Sequence, residues 1–380
     1  MKLQFVRALF ALLAVAACGL VHAAPGVLLR AVPMSGAPLG ASASRILDSS
    51  VGERGEPISV SGIVIVPDGP VPAGGRPVVA WAHPTTGIVP ACAPSLALQV
   101  FGRIPGLSEM LAHGWVVVAT DYPGLGTAGP HPYLVGGSEA RSVLDSVRAA
   151  RALPGSQAGA RFAVWGHSQG GQAALFTGLM ARHYASELTL AGVAAAAPAT
   201  DLPTLLSDDF DSVGGRNLTA MTLWSWSRVY GLPIDKLVVP TAMPAVNALA
   251  GECIESAFDV VRRMVSGRNL AHAFLTVSDF SRLEPWHAML ALNSPGTLPR
   301  GVPLFIAQGD ADGLVRPDVT RAYAARQCAA GGAVQLAMLP GVNHGFAGRD
   351  GAPAAMAWIA DRFAGLPAPS NCAGAMQRGI

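Results

Sequence analysis

Lysine is almost missing from this chain. Of 26 basic residues only Lys2 and Lys236 are lysines, and the excess of arginine reads as coding bias rather than as a binding patch. Charge of either sign is scarce: charged residues make up 13% of the sequence, about half the usual share of roughly 25%. The net charge is only +2, so neither a nucleic acid nor an acidic macromolecule is an expected partner. With 51% apolar residues, intrinsic disorder is excluded. Cysteine is limited to five residues and no Cys-x-x-Cys spacing occurs, which argues against a zinc site. Internal repeats and low-complexity tracts are absent as well. What is there is a chain of 380 residues, long enough to bury a large core in one or two domains.

The first residues read as an address label. Lys2 and Arg7 precede an apolar stretch that begins at Ala8, and Val21-His22-Ala23 follows. That pattern predicts a secretory signal over residues 1–23, cleaved near Ala23. The unbroken apolar run is too short for a membrane span. Val15-Ala16-Ala17-Cys18 also fits a lipoprotein signal, in which Cys18 would carry a lipid anchor. Either way the protein is expected to be exported, secreted or periplasmic in one case and membrane-anchored in the other. Cys92, Cys253, Cys328 and Cys372 then remain and suggest two disulfides, with three pairings open.

Apolar runs alternate with helix-like segments. ISVSGIVIV (58–66), PVVAWAH (77–83), GWVVVATDY (114–122), RFAVWG (161–166), LAGVAAAA (190–197), VPLFIAQ (302–308) and AVQLAML (333–339) read as strands. Helices are predicted over 137–153, from Gln169 to about His183, over about 317–331 and after His344. The first of these places Val143, Val147 and Ala150 on one face and its charges on the other. Such alternation predicts an α/β fold with a mostly parallel sheet, helices on both faces and ligands at the carboxyl ends of the strands. Residues 200–295 break the rhythm and read as an inserted helical cap, leaving 24–199 and 296–380 as the core. Trp224, Trp226, Tyr230 and Trp286 in that insert either line a pocket or pack its core. Asn217-Leu218-Thr219 has a glycosylation pattern to which no role is given.

VWGHSQGGQAALF (164–176) sets Ser168 between a strand and a helix, with Gly166 and Gly170 around it. In a chain with 44 glycines the bare Gly-x-Ser-x-Gly spacing is weak, but the strand-to-helix context is that of a nucleophile elbow. The turn lifts the hydroxyl above the sheet and the helix start offers free N–H groups. Such a serine needs a base and the base an acid, expected in the order Ser, acid, His, each just after a later strand. His344 follows the last strand and is the expected base. Asp310, Asp312 and Asp318 all follow the strand before it. Asp312 is preferred because its loop can curl back towards His344, whereas Asp310 reads as a turn brace and Asp318 as a first-turn helix residue. His113, His131, His183, His272 and His287 are expected on surfaces or in the cap, and His22 leaves with the signal. The oxyanion needs two backbone donors, expected from Gln169 and, since Pro84 has no N–H, from Thr85 in HPTTGIVP, with Thr86 behind it. This chemistry requires no metal or organic cofactor.

WAHPTTGIVPACAPS, DYPGLGTAGPHPYLVGGSEARSVLDSVRAAR and GHSQGGQAALF together resemble the secretory lipase family of α/β-hydrolases, from about residue 50 to 365. The resemblance implies a secreted serine hydrolase that cleaves carboxylic esters, acylglycerols included, under a cap that shapes an acyl tunnel. Position by position, Ser168 matches the nucleophile, Asp312 the acid and His344 the base, and Asp121 matches a motif residue read as a brace for nearby loops. It also implies the pairs Cys92–Cys253 and Cys328–Cys372. One departure stands out: Pro84 replaces the glycine of an expected His-Gly-Thr-Thr-Gly. The partner is thus a small-molecule or lipid ester, with transient contact to a lipid interface as a further reading. An acyltransferase on the same triad, or a catalytically silent ligand carrier with this fold, would be the alternatives.

Overall fold

The computed structural model of the chain describes residues 23–373, except 209, 211, 256, 269 and 271–273. The expected signal segment, with Cys18 and His22, lies outside the described residues, as does His272. No described helix is long and apolar enough to cross a membrane.

Strands β4 (Arg76–Ala82) and β5 (Val116–Thr120) are short, rich in valine and buried along nearly their whole length. Strands covered on both faces need such runs. With β1 (Leu28–Pro33), β2 (Ala41–Val51), β3 (Pro57–Pro67), β6 (Ala158–His167), β7 (Thr189–Ala196), β8 (Leu304–Gly309) and β9 (Val334–Leu339) they form one sheet of nine described strands, in the order β1-β2-β3-β5-β4-β6-β7-β8-β9. The strands from β5 to β9 in that order run parallel, while β1, β2 and β3 pair antiparallel with their neighbours.

Side-chain alternation splits the core in two. Val79, Trp81 and Val117 face a cluster completed by α1 (Leu107–Ala112) and α10 (Ala347–Phe363). Val78, Ala80 and Val116 face α2 (Gly136–Ala152), α3 (Gln169–Tyr184) and α9 (Pro317–Ala329). Between β7 and β8 the chain forms α4 (Leu202–Asp208), α5 (Val213–Val229), α6 (Met243–Ala250), α7 (Ala257–Gly267) and α8 (Trp286–Leu292). This insert shares the first cluster with the sheet. Trp226 and Trp286 are buried and stacked 6.4 Å apart, so they serve its packing. Asn217 and Thr219 are buried too.

Several expectations need correction. β1, β2 and α1 were not foreseen. The charges of α2 do not all lie on an open face: Glu139 and Asp145 are fully buried, because α3 and β2 cover that side of the helix. Asp145 is satisfied by Ser50, Tyr184 and Arg148. His131, expected on a surface or in the cap, is fully buried in the loop between β5 and α2, whereas His113, His183 and His287 are exposed.

Both disulfides are formed. Cys92–Cys253 ties the segment after β4 to the insert, and Cys328–Cys372 ties the end of α9 to the tail. The tail lies along the open edge of β9. Asn371 donates its backbone N–H to Val334 and bonds Leu336 through both side-chain atoms, at 2.8–3.0 Å. Cys92–Cys253 closes a loop of 161 residues, so replacing both cysteines by serine should lower the unfolding free energy by about 2–5 kcal/mol. Urea unfolding of the variant measures this; an unchanged midpoint would contradict it.

Candidate active site

The parallel strands bring the chemistry to one rim. Ala82, the last residue of β4, pairs with Gly166 of β6, so the loop His83-Pro84-Thr85 starts beside the turn that carries Ser168. That turn is strained, with Ser168 at φ 58 and ψ −119, a region that costs about 1–3 kcal/mol for a residue with a side chain. The local sequence makes it attainable. A Cβ at Gly166 would overlap the Gly170 carbonyl, and one at Gly170 would overlap the Ala82 carbonyl. Only glycine lets α3 start this close to β4 and β6.

His344 opens a short turn before α10, and Asp312 lies in the loop after β8. The His344 Nδ1–H donates to Asp312 Oδ2 at 2.8 Å, which leaves the Nε2 lone pair to accept from the Ser168 hydroxyl, also at 2.8 Å. Three residues up to 176 positions apart thus form one hydrogen-bonded chain. Burial alone would raise the pKa of Asp312; the bond to His344 and the Leu314 and Val315 N–H groups at 2.9 Å hold it below the ordinary carboxylate value. Asp312 therefore stays charged beside the imidazole. Asp310 accepts from the Gly341 N–H at 2.6 Å, and Asp318 pairs with Arg316 on the surface. Neither reaches His344 through the bonds described.

Gln169 begins α3 and Thr85 follows β4. The Thr85 hydroxyl meets the Tyr133 hydroxyl at 3.1 Å. Asp121 accepts from the Ser61 and Ser95 hydroxyls and from the Ser95 N–H at 2.6–2.8 Å, joining β3, β5 and the 94–96 turn. An apolar cavity of about 190 Å³ lies behind the Thr85 loop, between Ile63, Trp81 and Ile254. Among the described residues no group of three or more His, Cys, Asp or Glu side chains is placed to hold a metal ion.

Four polar residues around the rim escaped the sequence reading. His167, inside the elbow motif, donates from Nε2 to the His344 carbonyl at 2.9 Å, and burial pushes its pKa down to about 3. His83 is buried behind the Thr85 loop. His131 donates from Nδ1 to the Pro123 carbonyl at 2.8 Å and accepts at Nε2 from the Gln169 amide at 3.0 Å. Burial holds that ring neutral, with a pKa near 3. The same amide donates to Glu139 at 2.7 Å. Burial pushes Glu139 up to about 8, against the hydrogen bonds of Gln169 and Leu134. The motif position of His167 was a usable signal. No sequence pattern shows that Glu139 and His131 are buried.

The profile of secretory lipases matches residues 103–371. The chain belongs to the secretory lipase family. Lipase A of Arthroderma benhamiae is 26% identical over 304 residues, 74% of this chain and 62% of that protein. Lipase 7 of Candida albicans is 33% identical over 114 residues, 27% of this chain and 26% of that protein. The chain thus spans less than two thirds of the length of either lipase. Among solved structures, Candida antarctica lipase A in its closed state superposes with a TM-score of 0.74 at 17% identity, over 90% of this chain and 84% of that one. The rice cell wall degrading esterase LipA from Xanthomonas oryzae does so with a TM-score of 0.74 at 21% identity, over 90% and 99%. At such identities the likeness establishes the fold, which is that of the α/β-hydrolases.

Glu139 makes the network testable through stability. Its folded pKa of about 8 exceeds the unfolded value of about 4.3, so the folded state holds this proton more tightly. The stabilisation is complete below the unfolded pKa, declines as pH rises, and is gone above about pH 8. Between pH 5 and 8.5 the melting temperature of Glu139→Gln should therefore fall less than that of the wild type. Parallel curves from thermal unfolding would contradict this.

Proposed function

We propose that this chain is an exported serine hydrolase of carboxylic esters, acylglycerols among them. The observation that carries the reading is the unbroken hydrogen-bond chain from the Ser168 hydroxyl through His344 to Asp312. It occurs on a strained strand-to-helix turn, in a member of the secretory lipase family.

The Ser168 oxygen attacks the ester carbonyl carbon while His344 Nε2 takes the hydroxyl proton. Asp312 holds the imidazole in the Nδ1–H tautomer and stabilises the imidazolium that forms. Negative charge builds on the carbonyl oxygen, which the N–H groups of Gln169 and Thr85 receive. Loss of one such donor typically costs about 3 kcal/mol of barrier. The carbon–oxygen bond to the alcohol breaks, and His344 protonates the leaving oxygen. Water then attacks the acyl-enzyme, gives a proton to His344, and releases the acid and the free serine. His167 keeps the backbone of the base in place throughout.

Residues 200–295 act as the cap over this rim, with 24–199 and 296–380 as the core. The cavity behind the Thr85 loop offers room for an alkyl group: 190 Å³ exceeds the roughly 150 Å³ that houses a benzene ring. Phe258, Val261 and Val265 are exposed at helical spacing on α7, a face suited to transient contact with a lipid interface.

Hydrolysis of p-nitrophenyl esters from two to sixteen carbons tests the reading. Ser168→Ala and His344→Ala should each lower kcat by roughly 10⁴-fold or more, and Asp312→Asn by about 10⁴-fold. A fluorophosphonate should label the wild type and spare Ser168→Ala. Ester cleavage that persists in folded Ser168→Ala would overturn the assignment.

A further inference from the structure

We propose that His83 aims the second oxyanion donor: its ring holds the Pro84 carbonyl, and through that peptide plane it fixes the direction of the Thr85 N–H. The proposal rests on the reading of Ser168 and its two donors given above. It makes His83 a positioning residue, since the ring acts on the reacting atoms only through the Pro84 carbonyl and the peptide that follows it.

One peptide group sets the direction of the donor. Among the described residues the cis peptide is Glu284–Pro285, so the bond from Pro84 to Thr85 is trans, with its C=O and N–H pointing in opposite directions across one plane. The Pro84 carbonyl is held at 2.7 Å by His83 Nδ1. Pinning that oxygen inward turns the Thr85 N–H outward. The peptide before it is tied as well, because the Tyr122 hydroxyl donates to the His83 carbonyl at 3.3 Å. Pro84 contributes a fixed φ and no N–H, so beyond His83 the Thr85 N–H is the first backbone donor this loop can offer. The Thr85 side chain is engaged by Tyr133.

The ring has little freedom. It is buried, lies 4.3 Å from the Tyr122 ring, and its Nε2 faces the Asp121 carbonyl at 3.2 Å. Burial lowers its pKa, so it carries one N–H. Both facing groups are acceptors, and the shorter contact places that proton on Nδ1. The backbone of His83 also sits against the elbow: an added Cβ at Gly170 would lie 2.6 Å from the His83 carbonyl oxygen. A donor fixed before the substrate arrives needs no reorganisation as charge develops, which is where its catalytic value lies.

Steady-state hydrolysis of p-nitrophenyl butyrate by His83→Leu and His83→Asn tests this. Leucine removes the N–H, whereas asparagine returns an amide N–H near the position of Nδ1. His83→Leu should lower kcat by about 10²–10³-fold with KM within about threefold, as for loss of one oxyanion donor. The inhibition constant of a trifluoromethyl ketone, which binds as an oxyanion adduct, should rise in parallel. His83→Asn should recover kcat to within about tenfold of wild type. A folded His83→Leu with kcat within threefold of wild type overturns the proposal, and so does an equal loss in His83→Asn. If leucine prevents folding, Tyr122→Phe replaces it, with kcat lowered by about three- to tenfold at constant KM; unchanged kcat there is equally fatal. A wild type whose ester cleavage does not depend on Ser168 removes the hydrolase reading itself. A Ser168-dependent wild type with an unimpaired His83→Leu removes only this proposal.

Discussion

The close approach of α3 to β4 and β6 is the constraint on which the rest of the rim depends. No Cβ fits at Gly166 or Gly170, and Ser168 between them is driven to a positive φ. That strain is sustained because the strands on either side are locked in register over most of their length. Once the turn is set, the hydroxyl of Ser168 stands above the sheet with the first turn of a helix behind it. β8 and β9, two and three strands along, then deliver Asp312 and His344 to the same level. The strand order changes direction around β4, and such a reversal opens a crevice at the carboxyl ends of the strands.

Around that crevice burial keeps four titratable groups uncharged. His83, His131 and His167 are driven neutral by burial, and Glu139 holds its proton up to about pH 8. Asp312 differs from these four, held ionised by bonds from His344 and two backbone N–H groups. That fixed negative charge acts directly on the imidazole it touches.

The strands and helices of the central sheet were legible because valine-rich runs and 3.6-residue periodicity are strong signals. Ser168 and His344 could be read from their place after strands, and Asp312 from a loop able to turn back. β1 and β2 could not. β1 is a six-residue run, LLRAVP, without alternation, and β2 is rich in serine, so neither stands out as a strand. The burial of Glu139, Asp145 and His131 was equally hidden, because a polar side chain in sequence does not show which partners the fold will bring to it. Pro84, which departs from the glycine of the expected motif, sits in a turn where its own carbonyl and that of His83 are both anchored.

The tail beyond α10 has a consequence for solubility. A parallel sheet that ends on an uncovered strand offers its free amides to any other chain, a route to aggregation. Here the side chain and backbone of Asn371 occupy part of that margin of β9, and the Cys328–Cys372 bond keeps them there. In a reducing compartment the clasp would open, and the exposed margin would become a template for intermolecular strand pairing. The second disulfide thus holds the cover of this sheet edge in place, and its reduction would release that cover.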